Sequence, residues 1–214
     1  MTSMTNIRTM RSSRSFGIGL LLVAAVLCTG IGATYGLSMH EASQENVLMS
    51  RTTSVEINEV FPDDSIEAGA IRAKEVSFTN TGTSAVFLRV AFAECWEDGG
   101  VWLQDDGTLC IKGWTPAWTT DWIDGGDGWH YYTKVLPAGG STGDILSSVT
   151  FSAGLPPEYL ESVYTLDFVA EAVQLSNEAV VNMGATQAVF GREAAVTITS
   201  TVHGAVTAGT VAWS

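Results

Sequence analysis

The chain predicts an all-β fold, an antiparallel jelly-roll-like β-sandwich that follows an N-terminal signal or transmembrane helix. Three observations carry this expectation. Apolar residues recur with period two in many short segments, Gly, Asn and Pro flank those segments, and only the first three dozen residues form a cationic, then continuously apolar, stretch.

That first stretch, residues 1–36, carries Arg8, Arg11 and Arg14 ahead of an apolar run over 16–27, with no acidic residue before Glu41. The layout is that of a secretory signal, with Ala33 or Gly36 as cleavage positions. Residues 16–37 would also reach across a bilayer, which takes about 20 residues. In that uncleaved form the arginines would keep the N-terminal end in the cytoplasm. Cys28 follows Leu27, where a lipidated cysteine would follow a small residue, so it reads as one more apolar residue of the run. Both forms deliver the rest of the chain outward, to the cell surface or the extracellular space.

Residues 37–191 are of single-domain length, long enough to bury a core, and 192–214 read as a C-terminal β-hairpin extension. The whole chain has a net charge of −13, and because all 23 acidic residues lie after residue 36, residues 37–214 carry −16. This excludes nucleic acid as a partner and suits a solvated secreted surface.

Strands are expected over 53–60, 73–78, 86–93, 129–136, 144–151 and 164–174. The clearest alternation sets Val86, Leu88, Val90 and Phe92 on one face and Phe87, Arg89, Ala91 and Ala93 on the other. In 164–174, Tyr164, Leu166, Phe168, Ala170 and Ala172 make the inward face. Asn80-Thr81-Gly82 reads as a tight turn that would make 73–78 and 86–93 antiparallel neighbours. Residues 177–190 read as one or two helical turns. Segments 194–202 and 205–213, rich in Val and Thr and separated by His203-Gly204, read as a terminal hairpin with little charge and no proline.

Between about 95 and 127 the pattern changes to a Trp- and Gly-rich insertion with Trp96, Trp102, Trp114, Trp118 and Trp122. These aromatics are either an exposed platform for a glycan or protein, or a satellite core under a stapled loop. Cys95 and Cys110, the two cysteines after the signal, are expected to form a disulfide in an oxidising compartment. Asp121, Asp124 and Asp127 are the candidate carboxylates for calcium, although their spacing is not that of an EF-hand and a solvated turn explains them as well. No catalytic constellation is present. His40, His130 and His203 are scattered, there is no H-E-x-x-H and no G-x-S-x-G, and no enzyme activity or cofactor is expected.

Several segments, in order, resemble the TasA/camelysin family of exported Gram-positive proteins, made with an alternate type of signal peptide. After the signal these are Glu45-Asn46-Val47, Val55-Glu56-Ile57, Lys74-Glu75-Val76-Ser77-Phe78-Thr79-Asn80-Thr81-Gly82 and Val86-Phe87-Leu88-Arg89-Val90. Gly128-Trp129-His130-Tyr131-Tyr132, Val135-Leu136-Pro137-Ala138-Gly139 and Asp167-Phe168-Val169-Ala170-Glu171-Ala172-Val173-Gln174 follow. The sequence departs from the family after Asn46, in the Trp-rich insertion and in the terminal hairpin. The resemblance implies a jelly-roll domain at the cell surface or in a biofilm matrix, a dedicated signal peptidase, and in some members fibres built by strand exchange. Camelysin-like members have been labelled metalloproteases, but the zinc motif is lacking here. The expectation is therefore an exported structural protein that associates with itself or with surface and matrix components. The alternative is a secreted binding module using the Trp-rich insertion.

Overall fold

The computed structural model describes residues 54–60, 66–105 and 107–214. The signal segment, Cys28, His40 and the Glu45-Asn46-Val47 resemblance lie outside the described residues.

The all-β expectation holds: two antiparallel sheets lie face to face around one core. The first sheet has the order β1 (Val55–Val60), β2 (Ile71–Asn80), β8 (Leu146–Phe151), β5 (Cys110–Trp114). The second is built on β3 (Val86–Asp98). Its whole length pairs with β9 (Val163–Gln174), from Val86↔Gln174 to Glu97↔Val163. The opposite edge of β3 takes β4 (Val101–Leu103) at one end and β7 (His130–Tyr132) at the other, with β6 (Trp122–Asp124) beyond β7.

Alternation along the strands decides which side chains fill the space between the sheets. Val86, Leu88 and Val90 of β3, Tyr164, Leu166, Phe168 and Ala170 of β9, and Val76 and Phe78 of β2 are all buried there. Phe78 packs edge-on against Trp122 and Phe168, 5.7 and 6.4 Å away, and so joins the two sheets. Ring pairs of this geometry add about 0.5–1.5 kcal/mol beyond burial.

The other face of the second sheet is buried as well. Phe87 and Tyr131 project there, into a second cluster with Val135, Val173, Phe190, Ala194, Val206 and Val211. The cover consists of helix α3 (Ala179–Phe190) and the hairpin of β10 (Ala194–Val202) and β11 (Ala205–Trp213). Two further short helices, α1 (Pro116–Asp121) and α2 (Pro157–Leu160), lie in the connections. The hairpin has the expected limits and is tied down: Val135 N–H donates to Gly209 O (2.9 Å) and Val211 N–H to Thr133 O (2.8 Å). Trp213 reaches Phe87 and Tyr131, at 5.8 and 5.0 Å.

Three local expectations are corrected. β2 and β3 are not neighbours, because both edges of β2 are occupied, by β1 and β8. Their connection crosses from one sheet to the other, held by buried Asn80. Its Nδ2 donates to Ser84 O (2.8 Å) and Leu136 O (3.0 Å), and its Oδ1 accepts from Gly82 N–H (3.0 Å). Next, the expected strand over 129–136 is regular only through His130–Tyr132. Beyond it, single bridges join Lys134 to Thr210 and Leu136 to Val86, because the chain there passes from one partner strand to another. Finally, α3 is a full twelve-residue helix instead of one or two turns. Its buried Asn182 and Thr186 supply what the sequence pattern concealed: Asn182 bonds both backbone groups of Ser176 (2.6 and 2.8 Å), and Thr186 Oγ1 accepts from Ala194 N–H (3.1 Å). The helix ends at Gly191, whose φ of 68° is the left-handed cap conformation that glycine adopts at no steric cost.

Arg89 pins this outer layer. Its guanidinium bonds Glu171 through Nε (2.8 Å) and Nη2 (2.5 Å), donates to Phe190 O at the end of α3 (3.0 Å), and lies over the rings of Trp129 (4.1 Å) and Phe190 (4.5 Å). A cation at a helix C-terminus is electrostatically favoured. Replacing Arg89 by Met should cost about 3–5 kcal/mol, because Glu171 is left buried and unpaired. Replacing it by Lys should also destabilise, since an ammonium cannot reproduce the planar fork. Urea unfolding of the three proteins checks both expectations.

Candidate functional site

The Trp-rich segment is not a loop laid over the sandwich. It contributes β4, β5 and β6, which are edges of both sheets, with α1 in the connection between β5 and β6, and this placement separates its tryptophans into three groups. Trp96 and Trp122 are core residues, 1% and 5% exposed. Trp96 packs on Tyr164, Tyr159 and Phe151 at 4.7–5.7 Å and donates its Nε1 hydrogen to Asp105 Oδ2 (3.0 Å). Trp102, on β4, is 41% exposed. Trp114 and Trp118 are half-buried between these extremes.

The half-buried pair forms the centre of an aromatic cluster at the margin of the core. Trp118 stacks on Trp114 with centroids 4.7 Å apart and planes 16° from parallel. It also has the His130 ring at 4.3 Å and that of Trp122 at 5.7 Å. Phe92 lies 5.0 Å from Trp114 and 5.9 Å from His130. These rings cover one another, so the cluster presents little of the open indole face on which a sugar ring would stack. The satellite-core reading of Trp114 and Trp118 is the one their packing matches, and Trp102 alone of the five offers a largely exposed ring.

Burial holds the His130 imidazole below its ordinary pKa of 6.5, although Asp124 and Asp127 pull the other way. Its Nδ1 is buried without a hydrogen-bond partner, as is Nε1 of Trp122. A neutral ring against Trp118 is what such a site accommodates.

A second polar group lies between the sheets. Lys112 Nζ bonds both carboxylate oxygens of Glu94 (2.7 and 2.8 Å) and the Cys110 carbonyl (3.0 Å), and the Tyr164 hydroxyl donates to Glu94 Oε2 (2.9 Å). Burial, with the Glu94 carboxylate and the Cys110 thiol beside it, pushes the Tyr164 phenol far above its ordinary range, and burial likewise pushes the Cys110 thiol up. A thiol in that environment is a poor nucleophile.

In the structure no bond joins Cys95 to Cys110, the pair expected to form a disulfide. Glu94 and Trp96 point between the sheets, so Cys95 between them takes the opposite face of β3, while Cys110 enters the core from β5 on the facing sheet. The two residues therefore belong to facing sheets, on strands β3 and β5.

The three candidate calcium carboxylates each engage protein donors. Asp121 pairs with Lys134 (2.7 Å), and Asp124 accepts from Gly126 N–H (2.8 Å) in a local turn. Asp127 accepts from Trp129 N–H (3.0 Å) and the Tyr131 hydroxyl (2.7 Å). Among the described residues no group of three or more His, Cys, Asp or Glu side chains is placed to hold a metal ion. Arg89 and buried Lys74 were given no role by the sequence pattern, which shows Arg89 as one cation in an apolar alternation and Lys74 two positions after Arg72 on the same face of its strand.

Two outcomes follow from this geometry. The unfolded chain takes up a proton near pH 6.5, before the folded His130 does, so the domain should lose stability as pH falls below 6.5. His130→Phe should flatten that part of the stability profile, measured by thermal unfolding across pH. Peptides bearing Cys95 and Cys110 should be recovered unlinked from non-reduced protein by mass spectrometry. No protein-family model and no curated protein matches this chain.

Proposed function

We propose that this is an exported structural protein of the cell surface or extracellular matrix that associates with itself through the outer edge of β10. The single observation that carries the reading is that edge. β10 pairs with β11 on one side, and among the described residues no strand pairs with the other. From Thr197 to Val202 every residue of β10 is exposed, including Ile198 (37%) and Val202 (53%), and the strand contains no charge and no proline.

Long uncharged edges are templates for pairing with another chain, and proteins ordinarily blunt them with charge, proline or distortion. Here only a register irregularity around Ile198 to Thr201 serves that purpose. In a domain whose charge is −16, contacts between copies are least repelled where acidic side chains are absent, and this segment is such a place. The resemblance to TasA/camelysin proteins supports the same reading, as does the two-sheet sandwich, which suits a jelly roll. The binding-module alternative has less support, because most of the tryptophans it needs are packed against one another.

The test is a double substitution, Ile198→Lys with Thr201→Lys, at exposed positions of β10. We expect the parent domain to show concentration-dependent association by analytical ultracentrifugation and the variant to remain monomeric, with thermal unfolding nearly unchanged because exposed positions contribute within about ±0.5 kcal/mol. Equal association in both proteins would remove β10 from the assembly.

A further inference from the structure

We propose that the side chains of Lys74 and Glu59 condense into an amide that covalently joins β2 to β1, with Asp167 of β9 relaying the proton. Lys74 sits where the alternation of β2 requires an apolar residue. It precedes Val76 and Phe78 on the inward face, and its side chain is 3% exposed. The ammonium contacts Glu59 Oε1 across the first sheet. The register sets Glu59 opposite Val76, one inward position along the strand from Lys74, so a short side chain-to-side chain bond between these strands requires no backbone movement.

The surroundings suit the reaction. Burial lowers the Lys74 pKa to about 8 in spite of the opposing pull of Asp167, so a fraction of the side chain is the neutral amine near neutral pH. The Asp167 carboxylate has a buried oxygen, and β1 lies against β9.

The amine lone pair attacks the carboxyl carbon of Glu59 in its protonated form. A C–N bond forms and a C–O bond breaks, while Asp167 takes a proton from the nitrogen and returns one to the departing hydroxyl, which leaves as water. Nothing is oxidised or reduced, and no other reactant is needed. The product is a neutral amide in place of an ion pair whose lysine is buried, which removes the desolvation penalty that the ammonium bears. A covalent tie would fix the edge strand of the first sheet in a protein exposed to extracellular proteases and mechanical load.

Tryptic mapping of the full-length exported protein tests this directly. Trypsin cuts after Arg51, Arg72 and Arg89 but not after an acylated lysine. The cross-link therefore joins peptides 52–72 and 73–89 in one branched species, lighter than their sum by one water. We expect that species from the monomeric fraction and its complete loss in Lys74→Arg, which retains the charge but cannot condense. Recovery of peptide 52–72 alone, with cleavage after Lys74, would overturn the proposal whether or not the protein associates through β10. In a mixture of isotopically light and heavy protein, a branched peptide of mixed label would overturn its intramolecular form. Asp167→Asn should abolish the branched peptide in protein that still unfolds cooperatively; its persistence would overturn the role given to Asp167.

Discussion

Val86, Leu88 and Val90 face one core while Phe87 and Arg89 between them face another, so β3 has no solvent side over its first five residues and the other elements are arranged around it. Burial on both faces is unusual for a strand in an antiparallel sandwich, where one face commonly meets water. It obliges the chain to supply a third layer, and α3 with the terminal hairpin is that layer. Arg89 makes the obligation specific. A guanidinium in this position needs a carboxylate, carbonyls and aromatic faces, and Glu171, Phe190 and Trp129 provide them from three separate segments.

The same arrangement gives the Trp-rich segment its role. An insertion of five tryptophans suggests a surface for recognition, but β3, β5, α1 and β6 carry all of these rings except that of Trp102 into or against the core. Trp96 fills one end of the sandwich, and Trp118 bridges between Trp114, Trp122 and His130. The polar groups nearby are engaged in the same way: Glu94 is held by Lys112 and Tyr164, and Asp127 by Tyr131 and the Trp129 backbone. What remains outward is an acidic surface on which β10 is a long uncharged edge.

That contrast relates structure to the proposed role. β11 lies over Phe87 and Tyr131 and is part of the domain, whereas β10 is attached to the domain mainly through β11. A hairpin with one buried strand and one exposed strand is held firmly while offering its outer edge. Lys74 marks the opposite circumstance in the first sheet, where a buried ammonium takes an inward position that an apolar residue would fill at lower cost.

The sequence by itself determined most of the long strands, the inward face of β9 and the limits of the terminal hairpin, because period-two alternation and Gly, Asn and Pro punctuation are local properties of the chain. It also determined the acidic character of residues 37–214. Tertiary structure alone decided which strands are neighbours. Asn80-Thr81-Gly82 reads locally as a hairpin turn, yet it crosses between sheets because β1 and β8 already hold both edges of β2. It decided where the cysteines lie too, since fifteen positions of separation say nothing about which sheet each belongs to. The length of α3 was hidden for a similar reason: Asn182 and Thr186 break its apolar stripe, and their partners lie at Ser176 and Ala194, where only the packed outer layer brings them within reach.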